Sequence, residues 1–494
     1  MDAAKSSPLA PSSANARRNH TSSNGASQKP AFNNRPEQPA IRKTATYRHV
    51  VAIHSTVRHS CLSRDATTVP SFVGFRNLMI VVLVAMNLRL IIENFLKYGV
   101  LLCIKCHDYR KQDVVIGAIL SVLIPCQLLC SYFIELTASR RASRIIGLAK
   151  KEDKILRESR RAWFLIALLH SIISFSGLAA TSYVIYYYIN HPGIGTLCQI
   201  QVLIVSLKSY SYALTNRDLR RAMLGSPSTD FAIPELYRTC PYPRNITLGN
   251  LAYFLLAPTL VYQPVYPRTP RIRWSFVGKR LFEFGCLSVV IWLLSAQYAA
   301  PLLRNATEKI AVLHFGSILE RGLKLSTISV VVWLAGFYAI FQSLLNALAE
   351  IMRFGDRDFY TDWWNSPSFG VYWRSWNRPV YTFMKRHVFL PLVTRGWSST
   401  AAGTVVFAVS AVLHEILVGI PTHNIIGVAF FAMLFQLPLI LLTAPFEKLK
   451  TPLGKSIGNS FFWVSFCVVG QPLGTLLYFF AWQAKYGSVS KTHP

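Results

Sequence analysis

The chain has 494 residues, of which 52% are hydrophobic and 15% are charged, and its formal net charge at pH 7 is +30. The hydrophobic residues gather in repeated apolar stretches of about 18 residues or more, which is typical of a polytopic membrane protein and argues against several soluble domains. The basic residues gather in an N-terminal tail and in loops beside the apolar stretches, where membrane topology explains them. We therefore expect no nucleic-acid binding, and the nine scattered cysteines do not suggest a disulfide framework.

Residues 1–70 are expected to form a disordered basic N-terminal tail. This segment is rich in Ser, Asn, Ala, Pro and Arg, and its acids are only Asp2, Glu37 and Asp65. It shows no sustained apolar periodicity and so cannot bury enough apolar surface to fold alone. The rest of the chain divides into a membrane domain over residues 71–485 and a short C-terminal tail over residues 486–494.

About nine apolar stretches are long enough to cross a membrane as helices. They lie at residues 75–98, 114–135, 162–189, 193–214, 277–303, 326–350, 401–421, 427–445 and 460–483. The sequence thus predicts an all-α fold, a polytopic membrane protein with about nine transmembrane helices that form an intramembrane reaction chamber. The loops at 139–161, 215–276 and 351–400 are all basic and would lie on the side of the N-terminus. If that side is the cytoplasm, an odd number of helices places the C-terminus in the lumen.

One apolar stretch contains an ionisable pair, His414 and Glu415. Because such a pair is costly when it faces lipid, we expect it to face a cavity lined by protein or water. A zinc site of the H-E-x-x-H type would need a second histidine where the chain has Val418, so no metal site is expected. Successive helix positions point about 100° apart, so Glu415 is expected to line another wall of the cavity.

The loop over residues 353–397 mixes aromatic with basic side chains. Among them are Trp363, Trp364, Arg378, Lys385, Arg386 and Arg395. Such a surface can bind a phosphate-bearing nucleotide by stacking and charge. An interfacial aromatic belt with topology-determining charges remains an alternative interpretation.

A non-enzymatic lipid transporter or channel is the alternative from a different class of protein. In that case His414, Glu415, Glu350 and Arg89 would line a polar pathway through the membrane. A transporter should contain repeated discontinuous helices, and the sequence shows no internal repeat.

The heptapeptide Phe359–Asn365, which reads F-Y-T-D-W-W-N, is the most specific string of the chain. Together with the segments 346–357 and 410–415, it resembles the membrane-bound O-acyltransferase family, in the branch that holds sterol and diacylglycerol acyltransferases. The resemblance covers about residues 75–485. It implies an acyl-CoA-dependent O-acyltransferase of the endoplasmic reticulum membrane, which needs no cofactor because acyl-CoA is a substrate. It also implies contact with membrane lipids and allows a homo-oligomer.

Two acceptors are compatible with the resemblance. The string at 272–274 is similar to sterol acyltransferases, whereas those at 376–380 and 470–472 are similar to diacylglycerol acyltransferases. Diacylglycerol is the favoured acceptor, which makes triacylglycerol the product. A sterol acceptor, with a steryl ester as product, remains the alternative.

The resemblance also implies residue roles. His414 and Asn377 would form the catalytic pair, and Met433, Gln436 and Gln471 would line the same chamber as Glu415. The residues expected to bind acyl-CoA are Tyr360, Trp363, Trp364, Asn365, Arg378, Lys385, Arg386 and Arg395.

One departure from the family pattern affects the nucleotide. Diacylglycerol acyltransferases tend to carry Lys and Arg just after a turn that here reads Arg395-Gly396-Trp397-Ser398, and this chain has neither there. We expect the remaining cations of the loop to compensate.

Overall fold

A computed structural model describes residues 49, 52–63, 65, 70–95, 110–147, 152–224, 233–295, 323, 326, 329–449, 451–470, 474, 477, 478 and 481. All of them belong to one compact unit, which begins at Ala45. In these parts of the chain the only β pairing consists of two isolated bridges, Arg58 with Asp356 and Arg268 with Phe354. The fold is therefore all-α, as predicted.

Helices make up most of the described residues. In order they are α1 Val73–Phe95, α2 Lys111–Leu123, α3 Cys126–Gly147, α4 Glu152–Tyr188, α5 Pro192–Met223, α6 Leu248–Leu256, α7 Trp274–Leu294, α8 Ser329–Ile351, α9 Phe369–Ser375, α10 Arg378–Met384, α11 Leu390–Val393, α12 Ser399–Gly419, α13 Val428–Leu434, α14 Gln436–Lys448 and α15 Pro452–Val464. The π-helical segment Tyr338–Leu344 lies inside α8, and the π-helical segment Lys385–Phe389 joins α10 to α11.

Five helical stretches in the described residues are long and apolar enough to cross a membrane. They are Lys111–Ile146, Arg161–Tyr188, Ser329–Ile351, Ser399–Gly419 and Val428–Lys448. A shorter apolar helix covers Val73–Met86. The protein is thus a membrane protein built from helices, and the number of nine spans stays a prediction.

Part of the tail predicted over residues 1–70 lies among the described residues. Residues 52–63, which we call the N-terminal strap, lie against the membrane domain. The backbone N–H of Arg58 donates to the carbonyl of Gly355 at 3.0 Å, and the N–H of Arg357 donates back to the carbonyl of Arg58 at 2.9 Å. The His54 ring contacts the carboxylate of Asp356. Composition could not reveal this because backbone bridges and polar contacts hold the strap together with a few apolar side chains, those of Ala52, Ile53, Cys61 and Leu62, which show no regular spacing.

A cluster of aromatic rings forms the centre of the core. Trp363 is fully buried, and its ring packs edge-on against Trp333 and Phe337 with centroids 5.0 Å away in each case. Trp364 is 1% exposed and stacks on Phe75 of α1 at 4.9 Å. The cluster joins the 351–400 loop to α1 and α8.

The start of α1 approaches the backbone of the same loop. A Cβ atom at Gly74 would lie 1.5 Å from the carbonyl oxygen of Trp364, so only glycine fits there. The Gly74 N–H donates to the side-chain oxygen of Asn365 at 2.5 Å. Asn365 thereby satisfies one of the backbone donors that a helix N-terminus leaves unpaired.

Candidate active site

His414 lies three-quarters of the way along α12, which Ser398 begins by accepting a hydrogen bond from the Ala401 N–H at 3.1 Å. Its Nδ1 is 2.8 Å from the carbonyl oxygen of Ser410 and 3.3 Å from the hydroxyl of the same residue. A carbonyl oxygen only accepts, so Nδ1 must carry the proton. Nε2 then holds a lone pair and has no hydrogen-bond partner among the described residues. The ring is held in the tautomer that suits a general base acting through Nε2.

Glu415 faces away from His414 and organises the next helix. Its carboxylate accepts hydrogen bonds from the N–H groups of Gly427 and Phe430, at 2.9 and 3.1 Å, and from the Tyr478 hydroxyl at 2.7 Å. Gly427 has a φ of 78°, which favours glycine, and directly precedes α13. A carboxylate at the N-terminus of α13 is also favoured by the helix dipole. Glu415 was expected to line another wall of the cavity, and the structure gives it these three structural hydrogen bonds.

Met433 and Gln436 lie at the junction of α13 and α14. Met433 is 7% exposed. The Gln436 side-chain oxygen accepts from the Trp373 indole at 3.3 Å, and its amide nitrogen donates to the carbonyl of Ala432 at 3.1 Å. Trp373 in turn packs edge-on against Phe407, with centroids 5.8 Å apart.

Phe407 is on α12, seven residues before His414, which places the two on the same helix face about 10 Å apart along the axis. The contact of Trp373 with Phe407 therefore joins the 351–400 loop to the helix of His414. Gln471 lies outside the described residues.

Asn377 precedes α10 and acts as its N-cap. Its side-chain oxygen accepts from the Val380 N–H at 3.2 Å. Within the described residues no hydrogen bond joins Asn377 to His414, so the predicted pairing of these two stays a prediction.

The aromatic residues predicted to bind acyl-CoA are buried in the core. Trp363 and Trp364 pack as described above, and Tyr360 is 1% exposed and donates from its hydroxyl to Gln342 at 2.6 Å. Asn365 caps α1. In this arrangement none of the three rings offers an open face for stacking a nucleotide. The four residues shape the site by fixing the loop, and a direct role toward acyl-CoA stays a prediction.

The predicted cations of the loop fall into three environments. Arg378 pairs with Asp358 at 2.7 Å. Lys385 and Arg395 are exposed, and Lys385 lies over the Tyr381 ring at 5.8 Å. Arg386, in contrast, is 1% exposed, and its guanidinium nitrogens have no hydrogen-bond partner among the described residues. Of this set, Lys385 and Arg395 are therefore open to a soluble anion.

A buried pair of histidines lies beside Arg386. The Nδ1 atoms of His49 and His387 are 2.9 Å apart, and the rings stack with centroids 5.0 Å apart. His387 Nε2 is 2.8 Å from the Ser211 hydroxyl. Burial lowers the pKa of both histidines below the usual range, and the guanidinium groups of Arg386 and Arg217 lower it further. Both rings are consequently neutral at pH 7, with one proton between the two Nδ1 atoms.

Two residues that organise the site were missed by sequence reasoning. Trp373 was read only as part of a mixed loop, and Tyr478 only as part of an apolar stretch. A tyrosine hydroxyl inside an apolar helix needs a polar partner, and Glu415 is an ionisable residue in another such helix. That complementarity was a signal for pairing Tyr478 with Glu415.

Comparison with known proteins shows the family of this chain. The sequence model of MBOAT, the membrane-bound O-acyltransferase family, matches residues 121–479. Diacylglycerol O-acyltransferase 1C of Glycine max is 36% identical over 459 residues, which cover 92% of this chain and 83% of that protein.

Two further relatives come from distant organisms. Diacylglycerol O-acyltransferase 1 of Arabidopsis thaliana is 35% identical over 454 residues, which cover 90% of this chain and 80% of that protein. Diacylglycerol O-acyltransferase 1 of Dictyostelium discoideum is 35% identical over 424 residues, which cover 86% of this chain and 64% of that protein. The chain is an enzyme that belongs to the membrane-bound O-acyltransferase family.

Proposed function

We propose that this protein transfers the acyl group of acyl-CoA to the free hydroxyl of diacylglycerol, and that it releases triacylglycerol and CoA. The relatives named diacylglycerol O-acyltransferase support this choice of acceptor, since they match most of the chain. The observation that carries the chemistry is the tautomer of His414, which leaves Nε2 ready to accept a proton.

The reaction needs a group that accepts the proton of the hydroxyl and polar groups that orient the two substrates. His414 Nε2 takes the proton of the acceptor hydroxyl while the hydroxyl oxygen attacks the thioester carbonyl carbon. The carbon–sulfur bond then breaks, and the CoA thiolate leaves and takes up the proton from the imidazolium. Because the thiolate is a good leaving group, no covalent acyl-enzyme is required.

The position of His414 suits two substrates that arrive from different phases. It lies about 22 Å along α12 from Ser399, at 1.5 Å per residue. An extended pantetheine arm reaches this depth from the membrane surface, with the nucleotide near the exposed Lys385 and Arg395. Diacylglycerol enters sideways from the bilayer. Asn377 orients the thioester in this scheme, and Gln436 and Gln471 contact the glycerol part of the acceptor.

The setting we propose is the endoplasmic reticulum membrane. The basic loops then face the cytoplasm together with the N-terminus, and the C-terminus lies in the lumen. About nine membrane spans fit this orientation.

The test is a product assay with purified protein in lipid nanodiscs. Labelled oleoyl-CoA is supplied with diacylglycerol, with cholesterol or with ergosterol, and the labelled products are separated. We expect labelled triacylglycerol from the wild type and about 10² to 10⁴ less from His414→Ala, the range that a general base contributes. His423→Gln serves as a control for the loss of a buried histidine just beyond the end of α12. A preference for either sterol, or turnover by His414→Ala above a tenth of the wild type, would contradict the proposal.

A further inference from the structure

A cavity lies between the N-terminal strap and the start of α7, and no residue of α12 lines it. Its volume is about 430 Å³. The residues that line it on the strap side include His59 and Ser60, and those on the α7 side include Arg273, Lys279 and Arg280. Gln342, Asn346 and Arg357 also line it, from α8 and the loop that follows.

Three guanidinium groups of this cavity surround one phenyl ring. The guanidinium carbons of Arg273, Arg280 and Arg357 lie 4.8, 5.0 and 5.6 Å from the ring centroid of Phe276. Such crowding of like charges is unfavourable unless anions balance it. The balance of charge in the cavity therefore determines what it can bind.

Carboxylates neutralise most of this charge. Glu350 accepts from Arg273 at 3.1 Å and also pairs with Arg357, and Glu283 pairs with Arg280 at 2.6 Å. Asp65 is a more distant partner, 3.8 Å from Arg273. With Lys279, four cationic side chains face three carboxylates, so one positive charge remains.

Lys279 is the residue that carries the surplus charge. It is exposed and has no ion pair among the described residues. His59, also exposed, supplies a second donor from the opposite wall. The Nε of Arg280 is buried and, within the described residues, has no acceptor. These three donors converge on the cavity from two sides.

The interior wall is polar, and the neighbouring helix face is apolar. Gln342 is 2% exposed, and its side-chain oxygen accepts from the hydroxyls of Ser60 and Tyr360, at 2.9 and 2.6 Å. On the outer face of α7, Trp274 and Phe282 are 67% and 72% exposed. Tryptophan beside basic residues is typical of the headgroup level of a membrane.

We propose that this cavity binds the phosphate headgroup of an anionic phospholipid. The phosphate accepts hydrogen bonds from Lys279, His59 and Arg280, and the acyl chains lie along the apolar face of α7. The single surplus positive charge of the cavity matches the net negative charge of such a lipid. Phosphatidylcholine is zwitterionic and would leave that positive charge without a counter-charge. The residues that line this cavity do not include His414 or Asn377. The proposal can therefore be tested independently of the proposed acceptor.

The test measures lipid retention by native mass spectrometry of the full-length protein in a neutral detergent. The protein is titrated with phosphatidylserine and, separately, with phosphatidylcholine. We expect the wild type to prefer phosphatidylserine and Lys279→Gln to lower that affinity about fivefold, which corresponds to about 1 kcal/mol for a basic residue near a membrane surface. Lys279→Arg should retain the affinity, and His59→Gln should lower it about twofold.

The control is Lys455→Gln, which removes an exposed lysine from the first turn of α15 and should leave the affinity unchanged. Equal binding of the two lipids, or unchanged phosphatidylserine affinity in both Lys279→Gln and His59→Gln, would overturn the proposal. Displacement of phosphatidylserine by millimolar inorganic phosphate would assign the cavity to a soluble phosphate and would also overturn it. None of these readouts requires acyl transfer.

Discussion

The side-chain oxygen of Asn377 accepts a hydrogen bond from the Val380 N–H, 3.2 Å away, and this bond begins α10. Asn377 therefore has a structural role beside the catalytic role proposed for it. The two roles make different demands, because a hydroxyl caps a helix as well as an amide does but cannot replace an amide that donates to a substrate.

Substitutions at Asn377 should separate the two roles. We expect Asn377→Ser to keep the melting temperature of the wild type and to lose most of its kcat, since serine restores the cap alone. Asn377→Ala should lose kcat and also about 1 kcal/mol of stability. The measurements are thermal melts and steady-state kinetics in the same nanodiscs. If Asn377→Ser has wild-type kcat, Asn377 is a helix cap and nothing more.

Glu415 should behave as a residue that holds the chamber together. Glu415→Ala leaves two N–H groups and the Tyr478 hydroxyl without their acceptor, so we expect a loss of at least about 2 kcal/mol in stability. Tyr478→Phe removes one of these bonds, together with the bond that the Tyr478 hydroxyl accepts from the Ala429 N–H, and should cost about 1 kcal/mol. Melting temperatures should therefore fall in the order wild type, Tyr478→Phe, Glu415→Ala. A Glu415→Ala protein as stable as the wild type but inactive would point to a direct chemical role.

The exposed cations of the 351–400 loop should affect acyl-CoA and not the acceptor. We expect the double variant Lys385→Gln, Arg395→Gln to raise the KM for acyl-CoA several-fold and to weaken its dependence on salt. The KM for diacylglycerol should not change. Arg238→Gln, which removes an arginine whose side chain is 76% exposed elsewhere, is the matched control. An unchanged KM for acyl-CoA would contradict this prediction. Lys385 and Arg395 would then serve only to set the orientation of the chain in the membrane.

The buried histidine pair should make stability depend on pH. Because burial lowers the pKa of His387 and His49 in the folded state, the unfolded chain binds more protons below the ordinary histidine pKa of 6.5. The contribution of the two neutral histidines to the free energy of unfolding is fully present above that pH. It falls as the pH is lowered, by up to about 1.4 kcal/mol per pH unit for each histidine.

Replacing one member of the pair gives the check. His387→Gln should show a shallower loss of melting temperature between pH 7 and pH 5 than the wild type. His59→Gln, which removes an exposed histidine, should follow the wild type when both are measured in neutral detergent. Equal slopes for His387→Gln and the wild type would show that the pair does not titrate on unfolding.

The fold class was accessible from sequence because it rests on a local signal, and the location of the site stays a prediction that rests on another. Apolar length predicts membrane helices, and an ionisable residue such as His414 within one of them marks a cavity. The tautomer of His414 was not accessible, since it depends on the carbonyl of Ser410 and on helix geometry.

Side-chain burial in the loop could not be read from composition. Lys385 and Arg386 are adjacent and both basic, yet one is exposed and the other is buried, because neighbouring positions of a helical turn point in different directions and only one side of this turn packs on the core. Trp363 and Trp364 likewise look like an interfacial belt in sequence. Their burial depends on α1, α8 and α15, which come from distant parts of the chain, and such long-range packing overrides local pattern.

The bridge between the N-terminal strap and the loop after α8 also constrains the order of assembly. The Arg58 N–H donates to the carbonyl of Gly355, and the Gly74 N–H donates to the side chain of Asn365, so both contacts wait for about 290 further residues to be made. At translation rates of about 5–20 residues per second, this delay is roughly 15–60 s. During that time the strap and the start of α1 lack their final partners. A segment that is synthesised before the helices is therefore among the last to reach its native contacts, and a defect at Gly74 should appear as a late failure of maturation.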